Sequence, residues 1–293
     1  MFHFGPSNYL GDLGGNTGYG KPFFNDNNFK QRNYFYGIGL QRKFRPYIGL
    51  QFNLSQGKIS GSDQDVQYKS VEDPAYFRFK RNLDFKTKIT EGALILSVYP
   101  LQFFRSDSKL ALIDFQPYFM AGLGLYSFNP MGSYYDPILE DLVWVELQPL
   151  RTEGQGMKEY PTRKMYATTQ FNMPFGFGLK YKLGKYTQLS FEFLGRKLFT
   201  DYLDDVSTHF IDPAYFSTYL NEEDAQIAQS VHNKSNVISP DHPYVAGDIR
   251  GNNRHNDFYY SFQLGLHILI SKGHSKTSNQ KKYFKYNEFE ICF

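Results

Sequence analysis

No run of about 18 or more apolar residues, the length that reads as a membrane-spanning helix, occurs in the 293-residue chain. The longest near-continuous apolar stretch, Ala93-Leu94-Ile95-Leu96-Ser97-Val98, is far too short for that purpose. Cysteine is almost missing as well: Cys292 stands alone beside the C-terminus, so an internal disulfide is excluded. Charge of one sign is not in excess, since 32 Lys and Arg face 29 Asp and Glu for a net charge of +3. Without a basic stripe or an RNA-type aromatic signature, nucleic acid is not an expected partner. Residues 1–10 hold neither a charged leader nor an apolar core segment of the secretory type. If the protein is exported, this chain is expected to be its mature form.

Aromatic residues, by contrast, are abundant. They make up 18% of the chain, yet mean hydropathy is only −0.51. Between Gln170 and Leu183 every second residue is large and apolar: Phe171, Met173, Phe175, Phe177, Leu179, Tyr181 and Leu183. Gln170, Asn172, Pro174, Gly176, Gly178, Lys180 and Lys182 lie between them. A period of two is that of a strand, whose successive side chains leave opposite faces. The run exceeds an ordinary strand and reaches the roughly 9–11 residues that cross a bilayer at a tilt.

Seven further segments read the same way: 2–10, 33–42, 47–54, 85–99, 111–128, 186–200 and 257–270. The connections alternate: 11–32, 55–84, 129–167 and 201–256 are long, whereas 43–46, 100–110 and 184–185 are short or fairly short. An even strand count with alternating short and long connections predicts an all-β fold. Specifically, it predicts an eight-stranded antiparallel up-and-down transmembrane β-barrel over 1–270, with four long extracellular loops. Both termini then fall on the periplasmic side, and 271–293 forms a periplasmic C-terminal tail.

A soluble lipocalin-type barrel is the rival, with its apolar face turned inward. The second face argues against it, being Gly, Gln, Ser and Asn with few Lys/Glu pairs, as suits a narrow filled interior. Tyr34, Tyr36, Tyr99, Tyr126, Phe128, Tyr181, Phe258 and Tyr260 cluster at strand ends and are expected to form interfacial girdles. Glu91, Lys180, Glu192, Arg196 and His267 would face the lumen. Buried charges need partners, so a polar network plugging the lumen is expected, with no aqueous channel.

The loops carry the remaining candidates. Asp212 through Ser230 is rich in helix formers and predicts a helix. His209 follows Asp201, Asp204 and Asp205, the nearest approach to a catalytic pairing; a hydrated loop is the plainer reading. The same aspartates could attract calcium but lack EF-hand spacing and its glycine. Gly14-Gly15-Asn16-Thr17-Gly18-Tyr19-Gly20 lacks the Lys-Ser/Thr of a phosphate loop and reads as flexible connection. No cofactor, metal or catalytic site is therefore expected. An apolar patch around Trp144, with Leu142 and Val145, is either a loop packed on the rim or an interface for a partner.

Three segments carry a family resemblance: Ser7-Asn8-Tyr9-Leu10-Gly11-Asp12-Leu13-Gly14; Thr200 through Thr208 with Ile211-Asp212-Pro213; and Arg250-Gly251-Asn252 with Asn256-Asp257-Phe258-Tyr259. They resemble the opening strand, a late loop and the start of the final strand of the PorG-like outer-membrane β-barrels of Bacteroidota. The resemblance implies a non-enzymatic part in the type IX secretion system, which also serves gliding motility. It further implies association with the periplasmic ring of a lipoprotein and its partner, of the PorK/PorN or GldK/GldN type. The long loop 129–167 and the tail after Ile270 depart from that pattern. Two other readings stay open: a small barrel hydrolase acting on lipid or peptide through His209 with Asp204 or Asp205, and a surface ligand-binding or adhesin barrel acting through its loops.

Overall fold

The computed structural model describes residues 1–13, 33–103, 115–271 and 288–290. The glycine-rich stretch 14–20, most of the turn 100–110 and nearly all of the tail 271–293 lie outside them. The described residues form one antiparallel sheet of eleven strands with a few short helices. Eight strands are long: β1 (Phe2–Leu10), β2 (Asn33–Arg45), β3 (Ile48–Ser62), β4 (Asp84–Val98), β5 (Phe115–Ser127), β8 (Thr169–Lys182), β9 (Thr187–Leu198) and β10 (Phe258–Ser271). Each pairs with its neighbours in this order, and β1 pairs with β10 as well as with β2. The ladder therefore returns to its first strand, a β-barrel-like arrangement.

The sequence-based count of eight is short by three. Loop 129–167 holds a hairpin of β6 (Pro130–Asp136) and β7 (Asp141–Glu146), which joins the sheet where Thr87 and Lys86 of β4 meet Pro130 and Met131. It escapes a periodicity search because neither strand has a uniform apolar face. The third is β11 (Glu288–Glu290), which lies between Leu269–Ser271 of β10 and Gln41–Lys43 of β2. β3 also runs further than expected, pairing in register with β4 from Ile48↔Val98 to Ser62↔Asp84.

Alternation controls burial. On β4, Phe85, Thr87, Ile89, Glu91, Ala93, Ile95 and Ser97 are buried, whereas Leu94 and Leu96 are exposed. The buried face contains two apolar clusters. Tyr9, Phe35, Ile89, Tyr126 and Tyr259 belong to one near the long loops. Ala93, Ile95, Tyr99, Tyr118, Met120 and Leu194 form the other near the short turns. Along β4, Glu91 lies between the two, whereas Lys180 lies against Tyr99 and Tyr118 of the second. The exposed face is apolar on every long strand: Phe4, Ile38, Phe52, Leu96, Leu123, Phe177, Phe191 and Leu266 are examples.

The expected aromatic girdle needs correction. Tyr34, Tyr36 and Tyr181 are exposed, but Tyr99, Tyr126 and Phe128 are buried. Tyr99 and Tyr126 share the parity of the buried side chains and pack there. Tyr260 has the outward parity yet is covered, its ring 5.7 Å from Phe193 and 5.8 Å from Phe262.

The loops fold over the long-loop end. Within 55–84, α1 (Pro74–Arg81) is capped by the Asp73 side chain on Ala75 N–H and ends at Asn82, whose φ of 58° is left-handed. That is the usual pairing of a side-chain N-cap with a left-handed stop. The helix expected over 212–230 is divided. A single 3-10 turn leads into α2 (Phe216–Tyr219), Leu220 turns extended, and Asn221 caps α3 (Glu222–His232). A further short turn, α4, spans Ser235–Ile238. Leu147, Leu150, Met157, Phe216, Ala225, Ala228 and Val231 give this cap its own apolar core.

Candidate functional site

The five charged residues assigned to the inner face are all buried, and the structure divides them between two polar groups. In the first, Glu91 from β4 faces Arg196 from β9 at 3.2 Å. The same carboxylate oxygen accepts from Asn172 Nδ2 at 2.9 Å and from the Tyr259 hydroxyl at 2.5 Å. Arg196 donates from Nη1 to Leu194 O at 2.8 Å and to Ser261 Oγ at 2.5 Å, and its guanidinium lies over Phe35 and Tyr259. Gly124 makes room for this group: a Cβ there would collide with the Asn172 amide. A fully buried ion pair needs partners for its remaining hydrogen-bonding positions, and Asn172, Tyr259, Ser261 and the Leu194 carbonyl supply several of them.

Lys180 and Glu192 belong to a second group nearer the short turns. Lys180 Nζ donates to Gln41 Oε1 at 2.5 Å, and its charge lies 5.7 Å and 5.5 Å from the rings of Tyr99 and Tyr118. The Tyr118 hydroxyl donates to Glu192. His267 joins this group through Ser190: its Nε2 lies 2.9 Å from Ser190 Oγ, and the Ser190 side chain also hydrogen-bonds Glu192. These groups can brace strands against one another; the serine–histidine contact among them, Ser190 with His267, is buried.

The expected patch at 142–145 is split. The Trp144 ring lies under Lys86 Nζ at 3.9 Å, and Val145 packs against the cap core. Leu142 points outward, 60% exposed, opposite Tyr135 across the β6–β7 hairpin. Ile138 at the hairpin tip is 89% exposed.

Sequence reasoning missed a buried polar core in the loop cap. Arg250 Nη1 pairs with Glu153 at 2.9 Å and donates to Asp205 O at 2.6 Å. Glu153 also accepts from Ser207 N, Thr208 N and the Thr208 hydroxyl. Arg81 reaches from the end of α1 to Asp63 with two 2.8 Å bonds and to the carbonyls of Asp12 and Arg250. His232 places Nδ1 2.6 Å from Thr152 O and Nε2 3.2 Å from Ile211 O, and a neutral ring donates to one of these carbonyls. Burial first, then the Arg250 charge, lowers its pKa to about 3.

The three segments that carry the family resemblance meet in this cap. Tyr9 donates to Asp204, Leu13 N–H to Asp204 at 3.2 Å, Leu203 N–H to Asp257 at 2.8 Å, and Asn252 N–H to Asp12 at 2.8 Å. Four carboxyls thereby crowd together. Burial pushes Asp201 up to about 9. Burial and then the Asp12 charge push Asp204 up to about 8. Asp12 rises to about 6 through burial against the lowering pull of Arg81. Asp257 is raised by burial and by Asp204. Asp205, on the other side, rises to about 6 by burial, opposed by Arg250.

His209 does not join them. It is exposed, whereas Asp204 and Asp205 are fully buried. Asp205 accepts from Thr152 and Tyr166, and Asp204 from Tyr9, Leu13 N–H and Val206 N–H. Among the described residues no hydrogen bond links the His209 ring to either carboxylate, so the considered catalytic pair is not assembled. No group of three or more His, Cys, Asp or Glu among those residues is placed to hold a metal ion. Beside His209 lies a hollow of about 540 Å³, lined in part by Arg163, Lys164, Tyr166, Tyr202 and Thr208. The aspartate run was visible in sequence, but its burial and its arginine partners come from segments far apart in the chain.

No protein-family model matches the chain, and no curated protein matches it significantly.

Proposed function

We propose that the chain is a non-enzymatic, closed eight-stranded outer-membrane β-barrel with its long loops outside and both termini periplasmic. In this reading β6 and β7 decorate the outer rim and β11 lies at the periplasmic end. The observation that carries the proposal is the reversal of a soluble surface. Each of the eight long strands exposes large apolar side chains, while Glu91, Lys180, Glu192 and Arg196 are turned inward and buried. Lipid favours that arrangement and water does not. Strands of 9 to 15 residues are long enough to cross. Two inner apolar clusters and the buried polar groups packed with them fill the interior, which argues against transport through it.

Within that class we place the protein in the type IX secretion and gliding machinery, anchoring or aligning the periplasmic lipoprotein ring of the PorK/PorN or GldK/GldN type. The support is the resemblance of the three quoted segments. The short turns and residues 272–293 would form the docking side. The test has two arms. Heat-dependent gel mobility in outer-membrane fractions reports the barrel, and affinity capture reports the ring. Capture of the ring proteins, lost on deleting 272–293 while the mobility shift persists, supports the placement. A barrel that captures none of them refutes it.

The bare apolar tip at Ile138, Leu139 and Leu142 favours a second reading, a surface-binding barrel. Under it, Ile138→Ser with Leu139→Ser would abolish surface adhesion and leave secretion intact.

A further inference from the structure

The outer hollow combines three features that the anchoring role does not use. The first is a rigid aromatic floor. Phe128, Tyr166 and Tyr202 form a near-parallel column with centroid spacings of 6.1 Å and 4.9 Å and interplanar angles of 11° and 10°. The Tyr166 hydroxyl is tied to Asp205 at 2.7 Å, which fixes the column. Tyr202 ends it and lines the hollow.

The second feature is positive charge without a matching carboxylate. Arg163 Nη1 donates to two main-chain carbonyls, Glu153 O at 2.7 Å and His209 O at 3.0 Å. Among the described residues it makes no ion pair, and exposed Lys164 and His209 stand beside it. The acidic side chains nearby are already engaged, with Glu153 on Arg250 and Asp205 on Tyr166 and Thr152. Asp201, pushed up to about 9 by burial, is protonated at neutral pH and adds no negative charge.

The third feature is a lining of small polar residues, Thr162, Ser207, Thr208 and Asn253, with the Thr208 hydroxyl already donated to Glu153. The volume of about 540 Å³ lies within the ~300–1,000 Å³ span of small-molecule sites. An aromatic ring face takes the low-polarity C–H face of a saturated ring. Hydroxyls suit a polyol, and a guanidinium flanked by lysine suits a carboxylate or phosphate. We propose that this hollow binds an anionic sugar, a pyranose ring carrying a carboxylate or phosphate group, at the outer face of the loop cap.

The test is calorimetric titration of the full chain in lipid nanodiscs with galacturonic acid, its linear trimer, glucose 6-phosphate, glucose and inorganic phosphate. Saturable binding of an acidic sugar is expected, at least about tenfold tighter than glucose or inorganic phosphate. Lys164→Glu and His209→Ala, both at exposed positions, should each weaken it about tenfold or more, with unchanged heat-dependent gel mobility. Tighter binding of the trimer than of the monomer assigns the ligand to a polysaccharide, and equal binding assigns it to a single sugar; either supports the site. Absence of saturable binding by every acidic sugar overturns the proposal. So does inorganic phosphate binding as tightly, or wild-type affinity in both variants.

Discussion

Removing the Glu91 carboxylate should destabilise the sheet far more than removing its whole ion pair. Glu91 and Arg196 side chains are each only 1% exposed. In Glu91→Ala the guanidinium keeps its bonds to Leu194 O and Ser261 but loses its counter-charge, and the Asn172 amide and Tyr259 hydroxyl lose their acceptor. Breaking a buried pair from one side costs about 3–5 kcal/mol, a large part of the ~5–15 kcal/mol by which proteins are stable. Replacing both members with apolar groups of similar size, Glu91→Leu with Arg196→Met, is expected to recover most of that loss. Urea unfolding in detergent micelles, followed by far-ultraviolet circular dichroism, measures all four corners of the cycle. The single Trp144 is a poor probe because it sits on the outer hairpin. A Glu91→Ala cost below about 1 kcal/mol, or a coupling energy below about 0.5 kcal/mol, would show that water reaches the pair and refute the filled interior.

Leu123, 65% exposed near the middle of β5, should tolerate Arg poorly in lipid vesicles, at a cost of about 2–4 kcal/mol; an unchanged urea midpoint there would remove the lipid-facing assignment. The cap should loosen as pH rises. Asp205, Asp204 and Asp201 carry folded pKa values of about 6, 8 and 9, above the ordinary carboxylate value, so folding favours their protonated forms. Their contribution is complete below about pH 4 and is lost as pH climbs through those values. Hydrogen exchange of residues 201–209 at pH 5 and pH 9, corrected for intrinsic rates, should show it, and Asp204→Asn should flatten the difference. Arg250→Ala leaves Glu153 buried and unpaired, so limited proteolysis within 201–256 should accelerate while heat-dependent mobility persists; resistance equal to wild type would contradict the cap's dependence on this arginine.

The eight long strands were legible because a period of two marks the burial parity of each strand, whichever solvent lies outside. Parity alone placed Glu91, Lys180, Glu192, Arg196 and His267 on the buried face. It could not tell which would meet: Glu91 finds Arg196 across 105 positions, whereas His267 reaches Glu192 only through Ser190. The β6–β7 hairpin, α1 and β11 were missed because each is short and is held by contacts with distant segments rather than by its own pattern. The aromatic girdle was over-read for the opposite reason, since Tyr99 and Tyr126 lie at strand ends but on the inner parity. In the loops composition misled most. Asp201, Asp204 and Asp205 read as a hydrated run, yet Tyr9, Asp12, Arg250 and Asp257 close over them from both ends of the chain. The sequence by itself determined the strands and their two faces, because side-chain alternation is a local property of extended backbone. Only the tertiary structure decided which charges pair and which loops bury, because those depend on partners brought together by closure of the sheet and folding of its loops.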